Sequence, residues 1–523
     1  MRVIRSTKDD QNAEELISME YVGGQTVLAL RKQRGPLPVA EAVSYIVKIL
    51  PAFSNLHTHG FVFVDFTPEN VVVDAGEVKL IDRGSVYKVG DPNGDRYVTK
   101  GFAAPEARKA IRAESDLYSI GRVLAVLVMD FDFASEFEFT LPSPEDALVL
   151  ADNASFYRFL LRSTHVDPDR RFQTVDEMTE QLLGVLREML ASHTSLAPVE
   201  SKLFTGDRLV HATAKELVTQ RQPLSLPSPR IKIDDPAAGE VICILMLMHA
   251  EDQLSELQSL VAKHGDRAIE PRLRLVELLI THPELLPAER DGIIDKALTA
   301  VIEADSLDWR VDWYRGVVLM MRGEGEAALR YIDRCYSALP GELAPRLAMG
   351  LAAEIASDVE VALIYYDRVG RVDPSFVSAH TGGARCLAQL GRLQEAITFL
   401  QRVPVSHALY SQAQLSVGEL LLAYPHSVDL NVMQIAESVI RSIFGQGGSV
   451  FQMTARLITL LVERTKSATW PCEATFLGVE YTEYALRLAA EKQFRQAAKL
   501  ASSRPERHYW VDHANRVRPV SIW

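Results

Sequence analysis

The sequence predicts an α+β chain, predominantly helical, in which a mixed first part is followed by an α-solenoid. Three observations carry this. The chain has 523 residues, more than one hydrophobic core holds. Short apolar runs bounded by turn residues crowd its first part, and helical spacing then takes over. In the second half, small and aromatic residues recur with a period of 34.

Composition narrows the function classes. The net charge is −13 and no dense Lys/Arg run exists, so the surface repels phosphate backbones and nucleic acid is not expected as a partner. No apolar run reaches the roughly 18 residues that span a bilayer. The first residues, MRVIRSTKDDQNAEEL, are charged and carry no apolar signal segment, so no transmembrane segment and a cytoplasmic location are expected. Cys243, Cys335, Cys386 and Cys472 form no C-x-x-C pair and read as reduced, mostly buried thiols.

In chain order, Leu16 to Gly24 reads as a strand entering a Gly-Gly turn. Val43, Ile46, Val47, Leu50 and Phe53 mark a helix that starts near Pro38, stops at Gly60 and is expected to kink at Pro51. The runs NVVV and VKLID, separated by DAGE, read as two strands. Helical periodicity then dominates from Glu114 to about Leu190. Pro- and Ser-rich stretches mark residues 191–240 as a linker. Beyond it, Ala328, Ala362 and Ala396 stand 34 residues apart. The same interval separates Gly316, Gly350 and Ala384, then Gly323, Ser357 and Gly391, then Tyr331, Tyr365 and Phe399. Pro340 and Pro374 keep the interval and Pro404 falls early. Four columns in register are the tetratricopeptide signature: small residues let paired helices approach, the aromatic fills the gap and the proline ends the second helix. The expected domains are therefore 1–190, the linker 191–240, tetratricopeptide-type repeats at 241–425 and a helical cap at 426–523. The concave face of such an array suits a protein segment. Trp309, Trp313 and Tyr314, which open the array, read as core packing rather than a ligand cage.

The first domain carries a constellation suited to phosphoryl transfer. That chemistry needs a carboxylate to orient the attacking hydroxyl, ligands for Mg²⁺ and positive charge on the phosphates. In FVDFTPEN, Asp65 precedes Asn70 by five residues, and Asp82 follows in LIDRG with Gly84 behind it. Kinases space a loop Asp, an Asn and a second, metal-binding Asp in this way. Asp65 is thus the candidate catalytic residue, and Asn70 and Asp82 are the candidate ligands for Mg²⁺ and ATP. Ala104-Pro105-Glu106 follows in GFAAPE. Asp116, in DLYSIG, suits a buried carboxylate that holds the catalytic-loop backbone, and Arg171, in DPDRRF, is placed to pair with Glu106. These three are read as structural. His57 and His59 before the loop are read as structural too.

The matching stretches, MEYVGGQ, LPVAEAVSY, PEN, KLID.G, GF.APE, GR.LA.L, DPD.RF, LPGELAP and the terminal RH…D.AN.VRP, identify a resemblance. The chain resembles the actinobacterial serine/threonine protein kinase G family, which joins a kinase domain to tetratricopeptide repeats, from about residue 16 to the end. The resemblance implies a protein-kinase-like C-lobe with a partial N-lobe, followed by the repeat solenoid. It also implies ATP and Mg²⁺ as cofactors, with Glu20 and Val22 in the hinge that holds the nucleotide. The implied partner is a protein substrate, a small phosphopeptide-binding regulator of 2-oxoglutarate and glutamate metabolism.

Departures from the family pattern keep three readings open. The family's paired C-x-x-C segment, its Gly-rich loop, strand lysine and helix glutamate have no counterpart in this sequence, which reads as N-terminally truncated. Thr67 stands where a lysine contacts the transferred phosphate; losing such a contact costs about 2.7–4 kcal/mol by analogy with an oxyanion donor. Arg83 follows Asp82 and is placed to pair with it or to reach a phosphate. Val64 replaces the arginine that reads a phosphorylated activation loop. The readings are an active kinase completed by a further lobe, a pseudokinase scaffold binding protein partners, and a remnant whose repeats act as an adaptor.

Overall fold

The computed structural model describes residues 3–8, 15–19, 23–81, 85–90, 98–108, 110–209, 212–265, 268–443, 447–465 and 475–519. The chain divides into two compact units, Met1–Thr194 with Cys335–Glu342, and Ser195–Arg334 with Leu343–Trp523.

The first unit begins with an antiparallel pair, β1 (Val3–Lys8) and β2 (Glu15–Met19). The short strand β3 (Gln25–Thr26) leads into α1 (Val27–Arg34), whose N-terminus is capped by the Thr26 hydroxyl accepting from the Ala29 N–H. Helix α2 (Val39–Thr58) runs unbroken through Pro51, whose side is exposed, and buries Ala42, Val43, Ile46, Ile49, Leu50 and Phe53. It is long and apolar enough to cross a membrane, but that apolar face lies in the core of this unit. Gly60 ends it in left-handed backbone, φ +76°. Then come β4 (Phe61–Val62), β5 (Val71–Asp74), β6 (Glu77–Leu80) and β7 (Tyr87–Lys88). The strands β3, β5 and β6 form one antiparallel sheet, and β4 pairs with β7. The remainder is helical: α3 (Ala113–Val128), α4 (Leu148–Asp152), α5 (Ala154–Ser163) and α6 (Val175–Leu190). Every residue of α3 from Ser115 onward is buried, which makes it the central post of the unit.

In the second unit, α7 (Ala214–Thr219), α8 (Ala238–Ile244) and α9 (Ala250–His264) precede a series of helical hairpins. The hairpins are α10 (Glu270–Thr281) with α11 (Arg290–Ala304), α12 (Trp309–Met321) with α13 (Gly325–Ala338), and α14 (Leu343–Ile355) with α15 (Val359–Val372). Next are α16 (Val377–Gln389) with α17 (Leu393–Gln401), and α18 (Tyr410–Ala423) with α19 (Leu430–Ser442). The array closes with α20 (Gly448–Thr465), the strand pair β8 (Thr475–Phe476) and β9 (Val479–Glu480), α21 (Glu483–Lys499) and α22 (Arg504–Val517).

The repeat columns have local causes. A methyl group on Gly316 would meet Ile332 at 2.4 Å, so the helices of that hairpin touch backbone to side chain. In the next hairpin the fully buried aromatic is Tyr366, beside the column residue Tyr365, which is half-buried. Early Pro404 goes with an early stop: α17 has 9 residues where α13 and α15 have 14. Gly323, Ser357 and Gly391 are all left-handed, at φ +78°, +66° and +74°, because each reverses the chain between the two helices of a hairpin.

Ser357 alone of the three carries a Cβ in that conformation, which costs about 1–2 kcal/mol, against about 0.5–1 kcal/mol for the extra freedom of glycine in the unfolded chain. Ser357→Gly is therefore expected to stabilise the second unit by about 0.5 kcal/mol, and Gly391→Ala to destabilise it by about 1 kcal/mol. All 5 tryptophans lie beyond residue 300, so denaturant unfolding followed by tryptophan fluorescence reads this unit alone.

Candidate functional site

The octapeptide FVDFTPEN connects β4 to β5 and is held from beneath. Phe63 and Phe66 are buried and meet Phe53 of α2 at ring distances of 5.7 and 5.0 Å. Between them Val64 has φ +64°, a left-handed conformation that is strained for a β-branched residue. Asp116, at the start of α3 and fully buried, offsets that strain. Its Oδ2 accepts from the Phe63 N–H at 2.8 Å and its Oδ1 from the Val64 N–H at 2.9 Å. His57 Nε2–H donates to the same carboxylate at 2.8 Å. Three donors on one carboxylate satisfy a charge that would otherwise be costly in the core.

This arrangement sets Asp65, the next residue, at the surface of the loop. Its Oδ1 accepts from the backbone N–H of Thr99 at 2.7 Å, so the loop is tied to the segment leading to Glu106. The other oxygen makes no hydrogen bond among the described residues, and a carboxylate so placed can accept a proton-bearing hydroxyl.

Asn70 is buried at the end of the 3₁₀ turn Pro68–Asn70. Its Oδ1 accepts from the Thr67 N–H at 2.7 Å and from the Thr67 hydroxyl at 3.0 Å. Thr67 thus engages the Asn70 amide oxygen through both its N–H and its hydroxyl. Asp82, Arg83 and Gly84, and the hinge residues Glu20 and Val22, lie outside the described residues. Among the described residues no group of three or more His, Cys, Asp or Glu side chains is disposed to hold a metal. Asn70, with its amide oxygen facing Thr67, is the one proposed Mg²⁺ ligand among the described residues.

Beneath the site, Arg171 is fully buried and clasps Glu106 with two bonds, Nη1 to Oε1 at 2.7 Å and Nη2 to Oε2 at 2.9 Å. The Ser115 hydroxyl donates to Glu106 Oε1 at 2.7 Å. Arg171 also donates to the carbonyls of His165, Glu114 and Val166, and its guanidinium lies 4.9 Å from the Tyr118 ring. Burial would raise the Glu106 carboxyl, but Arg171 and Ser115 outweigh it and hold it below its ordinary 4.5. Burial pushes the Tyr118 phenol up to about 12.

Sequence reasoning missed Arg122, the arginine of GR.LA.L. It is fully buried and its guanidinium donates to four carbonyls, those of Gly101, Thr140, Phe133 and Phe137. It pins the segment before Glu106 to the loop after α3. Its signal was a charged residue amid the apolar run Ile120–Val128. The backbone contact from Thr99 to Asp65 left no such signal.

Two family models match the chain. One, described as a protein kinase domain, matches residues 1–195, and the other, described as the protein kinase G tetratricopeptide repeat, matches residues 200–521. The serine/threonine-protein kinase PknG of Mycolicibacterium smegmatis is 30% identical over 97% of this chain and 69% of its own length. PknG of Mycobacterium leprae is 31% identical over 97% of this chain and 68% of its own length. The serine/threonine-protein kinase PknB of Mycobacterium tuberculosis is 25% identical over 42% of this chain and 37% of its own length.

Proposed function

The chain belongs to the protein kinase G family, a kinase domain joined to tetratricopeptide repeats, and from that premise we propose that it is a serine/threonine protein kinase. The observation that carries this is the posture of Asp65, half-buried on a strained loop that Asp116 anchors and tied through Thr99 to the segment leading to Glu106. In this reading Asp65 accepts the hydroxyl proton of a protein serine or threonine and orients its oxygen. ATP and Mg²⁺ are the cofactors that kinases use, and Mg²⁺ supplies charge neutralisation at the phosphates. Asn70 and Asp82 are the proposed ligands, with Glu20 and Val22 at the hinge. Because ATP is the phosphoryl donor, the proposed compartment is the cytoplasm. The repeats bring a protein partner, a phosphopeptide-binding metabolic regulator being the class that the family resemblance implies.

A specific observation favours a second reading, a kinase-fold scaffold without transfer. The Asn70 oxygen is spent on Thr67, and Thr67 supplies no positive charge. Phosphate incorporation from labelled ATP–Mg²⁺ into a generic serine/threonine acceptor protein separates the two. The kinase reading expects incorporation by the full chain that falls about 10²–10⁴-fold in Asp65→Asn, the usual worth of a proton-accepting group. No incorporation by the parent chain, with no ATP–Mg²⁺ thermal shift that depends on Asp82, establishes the scaffold instead.

A further inference from the structure

Before the hairpins of the second unit begin, the chain turns a run of apolar side chains outward. Helix α8 buries Ala238, Val241 and Ile244. From residue 242 to residue 248 Ile244 alone turns inward; Ile242, Cys243, Leu245, Met246, Leu247 and Met248 are all exposed. Met246 keeps 79% of its surface open and Met248 93%. The run is not a frayed end. The N–H groups of Leu245, Met246 and Leu247 donate to the carbonyls of Val241, Cys243 and Ile244 at 3.0, 3.2 and 2.9 Å. The Gln253 side-chain amide of α9 donates to the Leu247 carbonyl at 2.7 Å. The backbone is held while the side chains it carries stand in water.

Single apolar residues are ordinary on a protein surface, but a contiguous group of them marks an interaction site. Each Å² of apolar surface left open forgoes about 25 cal/mol of burial. The first helices of a repeat array usually present a polar outer face, which keeps the array soluble. Methionine is also the side chain best suited to a docking surface, because its unbranched, polarizable chain adapts to the apolar surface that meets it.

The charge around the patch indicates what covers it. The 30 residues from Ile233 to Ala262 contain no Lys or Arg and six carboxylates, Asp234, Asp235, Glu240, Glu251, Asp252 and Glu256. Two of these are engaged. Asp235 accepts from the N–H groups of Ala237, Ile269 and Glu270, and Glu240 pairs with Lys263 and His264. The other four are exposed and make no hydrogen bond or ion pair among the described residues. Helix α9 turns Leu254, Leu257 and Leu260 inward, so Glu251, Asp252 and Glu256 lie on its outer face, starting three residues after Met248. Acids in a first turn stabilise their own helix, which accounts in part for Glu251 and Asp252. It accounts for neither Asp234 and Glu256 nor the lack of any Lys or Arg beside them.

We propose that this patch docks a basic amphipathic helix of a protein partner. The apolar stripe of that helix covers Met246 and Met248, and its Lys and Arg residues meet Asp234, Glu251, Asp252 and Glu256. The same carboxylates disfavour the other occupants. A second copy of this chain, joined about a two-fold axis, would set these acids against themselves, and anionic lipid headgroups would be repelled. The proposal concerns the second unit alone and does not rest on phosphoryl transfer.

The probe is a fluorescent synthetic peptide of about five helical turns, with Leu at spacings of three and four and Lys elsewhere, titrated into the full chain. Met246→Gln with Met248→Gln changes only exposed side chains, so the variant keeps its fold, and it should bind the peptide at least about tenfold more weakly. Glu251→Gln with Asp252→Asn should also weaken binding and flatten its salt dependence. A peptide of the same composition in scrambled order keeps the charge, lacks the stripe and should bind at least about tenfold more weakly. In methyl-¹³C methionine spectra the peptide should shift the signals of Met246 and Met248, each assigned by its own substitution. Binding that survives the methionine changes, or equal binding of the scrambled peptide, overturns the proposal. So does dimerisation of the parent chain that the methionine variant loses, which makes a second copy the occupant. Flotation of the parent chain with phosphatidylcholine vesicles, lost in the same variant, overturns it in favour of a membrane surface.

Discussion

Arg171→Ala is expected to destabilise the first unit by about 3–5 kcal/mol, the usual consequence of breaking a buried ion pair from one side. The guanidinium is wholly buried, so its loss opens a void where it packs on Tyr118. It also strands the Glu106 carboxylate and the carbonyls of His165, Glu114 and Val166. Glu106→Gln should cost less, about 1.5–3 kcal/mol, because the arginine keeps its three carbonyls and an amide oxygen. The order of the two variants is diagnostic. If Glu106→Gln were the more damaging, the arginine would not be the centre of the cluster. The pair also sets an acid limit. Glu106 is held below its ordinary 4.5, so its contribution is fully present above that value and is lost as the pH falls through the lower folded-state value. In Glu106→Gln that part of the acid sensitivity should vanish. Every tryptophan is in the second unit, so the measurement is hydrogen exchange of the α3 amides against denaturant and pH.

What the sequence made legible was chemistry carried by side chains at fixed spacing. Glu106 with Arg171, and Asp116 at a helix start, could be singled out because each contact demands one residue type. The repeat was legible for the same reason: Gly323, Ser357 and Gly391 share a left-handed backbone that few residues adopt. Illegible were the contacts made by backbone groups. No residue type is needed for the Thr99 N–H to bind Asp65, and nothing in Thr67 announces that it engages Asn70. Residues 203–230 look like a linker because proline and serine suit both a linker and a packed segment that holds a short helix, α7. What distinguishes the two is Asp207 meeting Ser378, 171 positions away, which no local pattern encodes. Trp309 and Trp313, read as core, pack against the Phe204 ring of that same segment.

Asp116→Asn tests the link between fold and site. The side chain keeps its size, so packing around α3 is unchanged and only hydrogen-bond direction is altered. One oxygen remains for either the Phe63 or the Val64 N–H; the new NH₂ group then faces the other donor and repels it. His57 Nε2 also loses its carboxylate or must change tautomer. With a donor left unsatisfied in a fully buried setting, the expected cost is about 2–4 kcal/mol. That loss falls where strain is already stored: left-handed Val64 persists only while both N–H groups are held, and unheld it relaxes toward extended backbone. Relaxation turns Asp65 away from Thr99. The expected signature is therefore local, with faster hydrogen exchange at Phe63, Val64 and Thr99, while α6 and the repeat helices keep their protection. A variant whose Thr99 amide stays as protected as in the parent chain would mean that Asp65 is positioned by the segment around Thr99 alone, and that Asp116 serves only the core.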